Sequence, residues 1–293
     1  MSKNHRAGYV NIIGMPNAGK STLMNRLVGE PLAIATAKAQ STRHRILGIV
    51  NDEESQIIFS DTPGYLEPRY QLQKKMQAKV EEALEDADVL VLLVDATHPG
   101  LPEEFTERIK NARGKLIAAV NKIDLSDQQK LEALVQKIKA ELQPESIIPI
   151  SAMYGANLDQ LLKAIRERLP ESPPYFPKDQ LTDKPEKFFV AEIIREKIFE
   201  LYKQEIPYSC EVKVDSFKED VRLIRIAAII FVNRKSQKPI LIGKNGAAMK
   251  RLGTESRRKI EAFLNSKVFL DLHVKVRENW RENEEQLKNF GYE

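Results

Sequence analysis

The 293 residues are 42% hydrophobic and 30% charged, enough apolar content to build two buried cores. A single cysteine, Cys210, excludes an intrachain disulfide and a cysteine-rich zinc site and fits a reducing, cytoplasmic setting. No apolar run approaches the roughly 18 residues of a bilayer span, and Met1 to Gly8 is polar, without the apolar core of a leader peptide. The net charge of +4 conceals an asymmetry: residues 1–180 carry 23 basic and 24 acidic side chains, whereas residues 181–293 carry 23 and 18. Arg222 to Lys259 alone holds 11 basic residues against one acid, Glu255. Such a stretch is an electrostatic footprint for a polyanion, although on charge alone a solvated basic face fits equally well.

In chain order, short β-branched runs alternate with helical periodicity, the rhythm of a largely parallel sheet crossed by helices. Strands are predicted at Tyr9–Ile13, Ile46–Val50, Gln56–Ser60, Val89–Val94, Leu116–Val120 and Ile147–Ile150. Helices are predicted at Lys20–Val28, Leu72–Asp86, Glu103–Asn111, Gln128–Leu142 and Leu158–Arg168. The few polar residues from Asn51 to Ser55 leave no room for a helix, so the two strands that flank them must pair antiparallel. Pro170, Pro173, Pro174, Pro177 and Pro185 mark an extended linker that cannot be helical. The predicted organisation is therefore a domain over 1–170, a linker over 171–186 and a second domain over 187–293. The second domain reads α-β-β-α-α-β: helix Lys187–Tyr202, strands Ser209–Phe217 and Val221–Asn233, a helix or helix pair within Ile240–Leu264, and strand Val268–Val276.

Between the first strand and first helix, Gly14 to Ser21 reads GMPNAGKS, which fits G-x-x-x-x-G-K-[ST] in the required strand–turn–helix context. Met15, Pro16, Asn17 and Ala18 form the turn, and Gly19, Lys20, Ser21 and Thr22 lead into the helix. Backbone N–H groups there point at phosphates, Lys20 neutralises them, and Ser21 offers a hydroxyl to magnesium. Asp61, Thr62, Pro63 and Gly64 (DTPG) follow the third strand, where a carboxylate can join the magnesium shell and a glycine N–H can sense a γ-phosphate. Asn121, Lys122, Ile123 and Asp124 (NKID) follow the fifth. Asp124 can accept from both N1 and N2 of guanine, an edge adenine lacks, with Asn121 placed to reach the other side and Lys122 lying along base and loop. Ser151 and Ala152 follow the next strand, where a backbone N–H can donate to guanine O6. Each tetrad alone is a common strand-end turn; three in this order at strand C-termini point to one GTP or GDP site.

With these motifs the first domain resembles the translation-factor-class GTPases. The resemblance implies catalytic roles for Lys20, Thr42 and Gly64 and places Thr42, within Ser41 to Arg45 (STRHR), in the magnesium shell with Ser21 and Asp61. Where Ras-type relatives carry a water-positioning glutamine, this chain has Tyr65, whose phenol cannot orient water by an amide. The chain therefore resembles GTPases with a hydrophobic residue there, which implies slow intrinsic turnover. In some of these a potassium ion is held by an asparagine matching Asn17. In the second domain, Gly243, Lys244, Asn245 and Gly246 (GKNG) follow apolar Ile242 within α-β-β-α-α-β order, which resembles a KH domain. There the glycines let backbone approach a sugar-phosphate chain while Lys250 and Arg251 add charge.

The two together resemble the bacterial Era GTPases, as do Tyr175-Phe176-Pro177 and Glu192 to Lys197 (EIIREK). That resemblance implies binding to the 3′ end of 16S ribosomal RNA, assistance in assembling the small ribosomal subunit, a monomer, and peripheral contact with the cytoplasmic membrane. The competing reading is a membrane-associated signalling GTPase that couples growth to nucleotide state, which requires a basic amphipathic helix.

Overall fold

The computed structural model describes residues 5–36, 38–220 and 222–292. It divides into two compact units, Met1–Glu67 with Met76–Asp183, and Pro68–Lys75 with Lys184–Glu293.

The first unit runs β1 (Arg6–Gly14), α1 (Lys20–Val28), β2 (Ile46–Asn51), β3 (Ser55–Asp61), α2 (Gln71–Glu85, whose first turn belongs to the other unit), β4 (Val89–Asp95), α3 (Glu103–Lys110), β5 (Lys115–Asn121), α4 (Gln128–Leu142), β6 (Ser146–Pro149) and α5 (Leu158–Arg168). The six strands form one sheet in the order β2-β3-β1-β4-β5-β6, parallel except for the antiparallel β2–β3 pair. This is the α/β P-loop arrangement expected from the sequence, including the single reversal at Asn51 to Ser55. β4 (VLVLLVD) is buried along its whole length, as a central parallel strand with helices on both faces must be. Because every parallel strand runs the same way, the chain segments after β1, β3, β4, β5 and β6 emerge at one edge of the sheet.

The proline-rich segment does not dangle. It runs antiparallel along the exposed edge of β2: the Ile49 N–H donates to Leu181 O at 2.8 Å, the Leu47 N–H to Asp183 Oδ1 at 3.3 Å, and Asn51 Nδ2 to Lys178 O at 2.9 Å. The buried Gln56 amide holds its other end, accepting from the Tyr175 and Phe176 N–H groups and donating to Phe176 O. Proline cannot complete a ladder, so the strap is pinned by side chains where backbone donors are missing. An open sheet edge is thereby covered.

The second unit runs α6 (Glu186–Leu201), α7 (Ile206–Ser209), β7 (Cys210–Lys218), β8 (Ile224–Val232), α8 (Gln237–Ile242), α9 (Ala247–Leu264), β9 (Val268–Val276) and α10 (Glu284–Asn289). The sheet order is β7-β8-β9, with β7–β8 antiparallel and β8–β9 parallel. This is the KH architecture. The predicted strand start at Val221 lies outside the described residues, and the long helical pattern resolves into the pair α8 and α9. α6 and α9 cover one sheet face, over a core that includes Ile194, Ile198, Cys210, Ile230 and Ile260. Two features carried no sequence signal strong enough to be predicted, the short α7 and the closing α10. Both gather around buried Trp280, whose Nε1 donates to Ser209 O at 3.0 Å.

Candidate functional site

The loop after β1 turns through Asn17 at φ 63° and Gly19 at φ 100° and delivers Lys20 and Ser21 at the start of α1. Around it opens a cavity of about 890 Å3, within the range of small-molecule sites. Its walls are the loop itself (Met15 to Thr22, save Ala18), the segment before β2 (Ile34, Ala35, Thr36, Gln40, Ser41, Thr42), Gly64, the turn after β4 (Asp95, His98, Pro99, Gly100), Lys122 and Met153. The sheet edge thus brings together the segments expected from the motifs.

At the inner end, Ser21 Oγ and Thr42 Oγ1 both donate to Asp61 Oδ2, at 2.8 and 3.1 Å, and lie 2.9 Å from each other. Asp61 is fully buried, and its Oδ1 has no hydrogen-bond partner. Burial pushes its carboxyl pKa up, opposed by Lys20, Ser21 and Thr42. An orphaned carboxylate oxygen beside two hydroxyls is a hard-oxygen donor set that fits a magnesium ion. Lys20 Nζ, also buried, donates to the Gly14 and Met15 carbonyls at 3.1 and 2.9 Å. Desolvation pushes its pKa down to about 8, with Asp61 pulling the other way. A desolvated ammonium gains more from a phosphate dianion than an exposed one does. A Cβ at Gly64 would stand 2.7 Å from the Pro16 backbone, so the DTPG turn is packed directly on the phosphate loop.

Three of the expected nucleotide contacts are engaged within the protein. Both ends of the Asn121 amide find protein partners. It is 3% exposed, its Nδ2 donates to Ala18 O at 2.8 Å, and its Oδ1 accepts from the Ala152 N–H at 2.9 Å. It is a strut between the phosphate loop and the loop after β6, close enough that any Cβ at Gly19 would stand 2.4 Å from its amide nitrogen. The backbone donors assigned to guanine O6 are engaged as well, Ala152 by Asn121 and Ser151 by Ala156 O at 3.2 Å. The Tyr65 side chain turns out of the cavity and stacks on Phe105 with ring centroids 4.2 Å apart; only its N–H touches the loop, donating to Gly14 O at 3.1 Å. Asp124 is exposed, two residues beyond the cavity-lining Lys122, its Oδ1 accepting from Ser151 Oγ at 2.6 Å. Thr62 and Ile123 brace the scaffold through Ile12 O and Ile150 O.

The sequence reading missed Asp95 and His98. Lys122 Nζ donates to Asp95 Oδ2 at 2.5 Å, and the other oxygen accepts from the Thr97 N–H and hydroxyl. Asp95 thus holds Lys122 on the cavity wall. The available signal was its place at the end of an all-apolar strand, the same position that marked Asp61 and Asn121.

In the second unit, Gly243 has φ 72° and Gly246 φ 77°. A Cβ at Gly243 would meet Ala248 Cβ at 2.6 Å, whereas nothing lies within 4 Å of one at Gly246. The turn is therefore closed on one side by packing and open on the other, and Lys244, Lys250 and Arg251 are exposed around it. Near it Ile240 is half-exposed and Ile242, Met249 and Gly253 are partly buried, and a Cβ at Gly253 would sit 3.7 Å from Leu272 of β9. That combination, open backbone with partly exposed apolar side chains and cations nearby, suits a sugar-phosphate chain with unstacked bases.

Residues 9–122 match the model of the 50S ribosome-binding GTPases and residues 205–281 that of the KH domain. GTPase Era of Geobacter metallireducens is 46% identical, with 100% of each chain covered. The chain belongs to the Era GTPase family. A crystal structure of Era in complex with MgGDPNP and nucleotides 1506–1542 of 16S ribosomal RNA superposes with a TM-score of 0.94 at 40% identity, covering 98% of this chain and 99% of that one. A Tyr-to-Ala variant of Aquifex aeolicus Era bound to GDP·AlF4− gives 0.93 at 40% identity and the same coverage. The chain is accordingly a GTPase of the Era type, with a KH domain as its second unit. None of its helices is long and apolar enough, among the described residues, to cross a membrane.

Proposed function

We propose that this Era-family GTPase is a nucleotide-driven clamp on the 3′ end of 16S ribosomal RNA that assists assembly of the small ribosomal subunit. The observation that carries the reading is the Gly243–Gly246 turn. Its open side and ring of cations are built for a nucleic-acid backbone, and they occur in a chain similar over its whole length to an Era solved with that RNA. Ser21, Thr42 and Asp61 would hold magnesium, which when bound would supply charge neutralisation at the β- and γ-phosphates. Lys20 adds a second positive charge, and Gly64 is the backbone sensor that joins the phosphate loop to α2. Lys122, held by Asp95, and Asp124 read the base.

Tyr65 takes no part in positioning water, because its ring is stacked against Phe105. We propose that a potassium ion at Asn17, exposed on the cavity wall, supplies the missing transition-state charge. Replacing potassium by sodium is expected to slow hydrolysis severalfold, and Asn17→Ala to erase the difference; equal wild-type rates in both salts would remove this part of the mechanism.

The RNA reading is tested by crosslinking the full chain to total cellular RNA. Crosslinks are expected to concentrate at the 3′ end of 16S ribosomal RNA. An even spread over unrelated transcripts, or retention only on anionic membranes, would overturn it in favour of a signalling GTPase held at a lipid surface.

A further inference from the structure

The KH sheet has a second face. Its inner residues, Phe217 of β7, Ile226 of β8 and Leu270 of β9, pack on the core under α6 and α9. Strand alternation turns their neighbours the other way, and the register sets Lys218, Arg225 and Phe269 side by side across all three strands. All three are exposed, Phe269 by 53%, and the Arg225 guanidinium lies 5.8 Å from the Phe269 ring centroid. The opposite end of this face is closed, since Phe290 packs on Phe231 and Arg277 lies over the same ring. At the open end Lys218 and Arg225 are exposed beside Phe269, with Asp215 in the bulged strand, Asp271, which is paired with His273, and Glu219 and Asp220 just beyond Lys218. Among the described residues Lys218 and Arg225 have no ion-pair partner.

A solvent-exposed aromatic ring on a sheet face, with an arginine beside it and unpaired cations around it, is the arrangement by which proteins stack bases of a single strand and hold its phosphates. A folded protein partner would call for a larger apolar patch than one ring. We propose that this outer sheet face is a second contact for single-stranded RNA, with a base stacked on Phe269 and the adjoining phosphates met by Arg225 and Lys218. The inference rests on the RNA-binding reading above. It adds a prediction of reach. The 18 residues of α9 separate the Gly246 end of the unit from the Phe269 end by about 27 Å, so an RNA of about four nucleotides held at the Gly243–Gly246 turn cannot touch Phe269.

The test uses the full-length protein with single-stranded RNAs of randomised sequence, about four and about twelve nucleotides long. Phe269→Ala is expected to weaken binding of the longer RNA about tenfold and leave the shorter unchanged; Phe269→Trp should restore it. GTP binding and melting temperature serve as folding controls for this surface change. If Phe269→Ala and Arg225→Ala bind the longer RNA as the wild type does, while Gly246→Asp weakens both RNAs, the second contact is wrong and the KH turn stands. Should the wild type bind neither RNA, the underlying RNA reading fails and this inference with it. Loss confined to vesicles of phosphatidylserine and phosphatidylcholine would assign the face to lipid and overturn the proposal.

Discussion

Asp124→Asn is expected to exchange GTP for xanthosine triphosphate. The carboxylate is exposed with one oxygen accepting from Ser151 Oγ, and an asparagine can keep that bond through its own Oδ1. The change therefore falls on the outward atom, where an acceptor for the guanine N1 and N2 hydrogens becomes an N–H donor. Guanine then meets donor against donor at N2, whereas xanthine has a carbonyl there. Sites built on such hydrogen bonds reject a mismatched partner by about four orders of magnitude. Competitive binding of the two triphosphates to the variant measures the exchange, and unaltered RNA binding controls for misfolding. A variant that still preferred GTP would show that another residue reads the base.

The second large effect is expected at Asn121. Its amide joins Ala18 O to the Ala152 N–H, two backbone groups from buried alanines. Asn121→Ala leaves both without partners, at a cost of about 1–3 kcal/mol each, and frees the phosphate loop from the loop after β6. Nucleotide affinity should fall about a hundredfold or more, since 1.4 kcal/mol is about a factor of ten. The melting temperature of the nucleotide-free protein should fall with it. A residue that merely touched the base would change affinity and leave that melting temperature alone, so the two measurements together separate a strut from a base contact.

That difference marks where the sequence stops being informative. Lys20, Ser21 and Asp61 were legible because strand-end position and side-chain chemistry together leave few roles for a lysine, a hydroxyl and a carboxylate. The antiparallel β2–β3 pair was legible because loop length forbids the alternative. Asn121 was not, because an amide donates and accepts equally well, and its partners lie 103 and 31 positions away in the chain. Tyr65 was expected not to act like glutamine, but its stacking partner, Phe105, belongs to another helix and no local pattern points to it. The same holds for Asp95, whose role appears only once Lys122 is folded beside it, and for the proline-rich segment. Composition shows that the segment is extended; only the Gln56 and Ile49 hydrogen bonds show that it is bound along a sheet edge.

The central claim is that one chain carries a GTP site and a separate RNA grip at the Gly243–Gly246 turn. The most direct measurement is a parallel titration of wild type and Gly246→Asp with GTP and with an RNA corresponding to the 3′ end of 16S ribosomal RNA. At Gly246 the backbone is at φ 77° and open to within 4 Å, so aspartate adds a strained Cβ and a negative charge where a phosphate chain would approach. The account predicts that RNA affinity falls about a hundredfold, that wild-type RNA affinity declines linearly with salt on logarithmic axes, and that GTP affinity is unchanged in both proteins. RNA affinity equal in wild type and variant, with GTP binding intact, would contradict it.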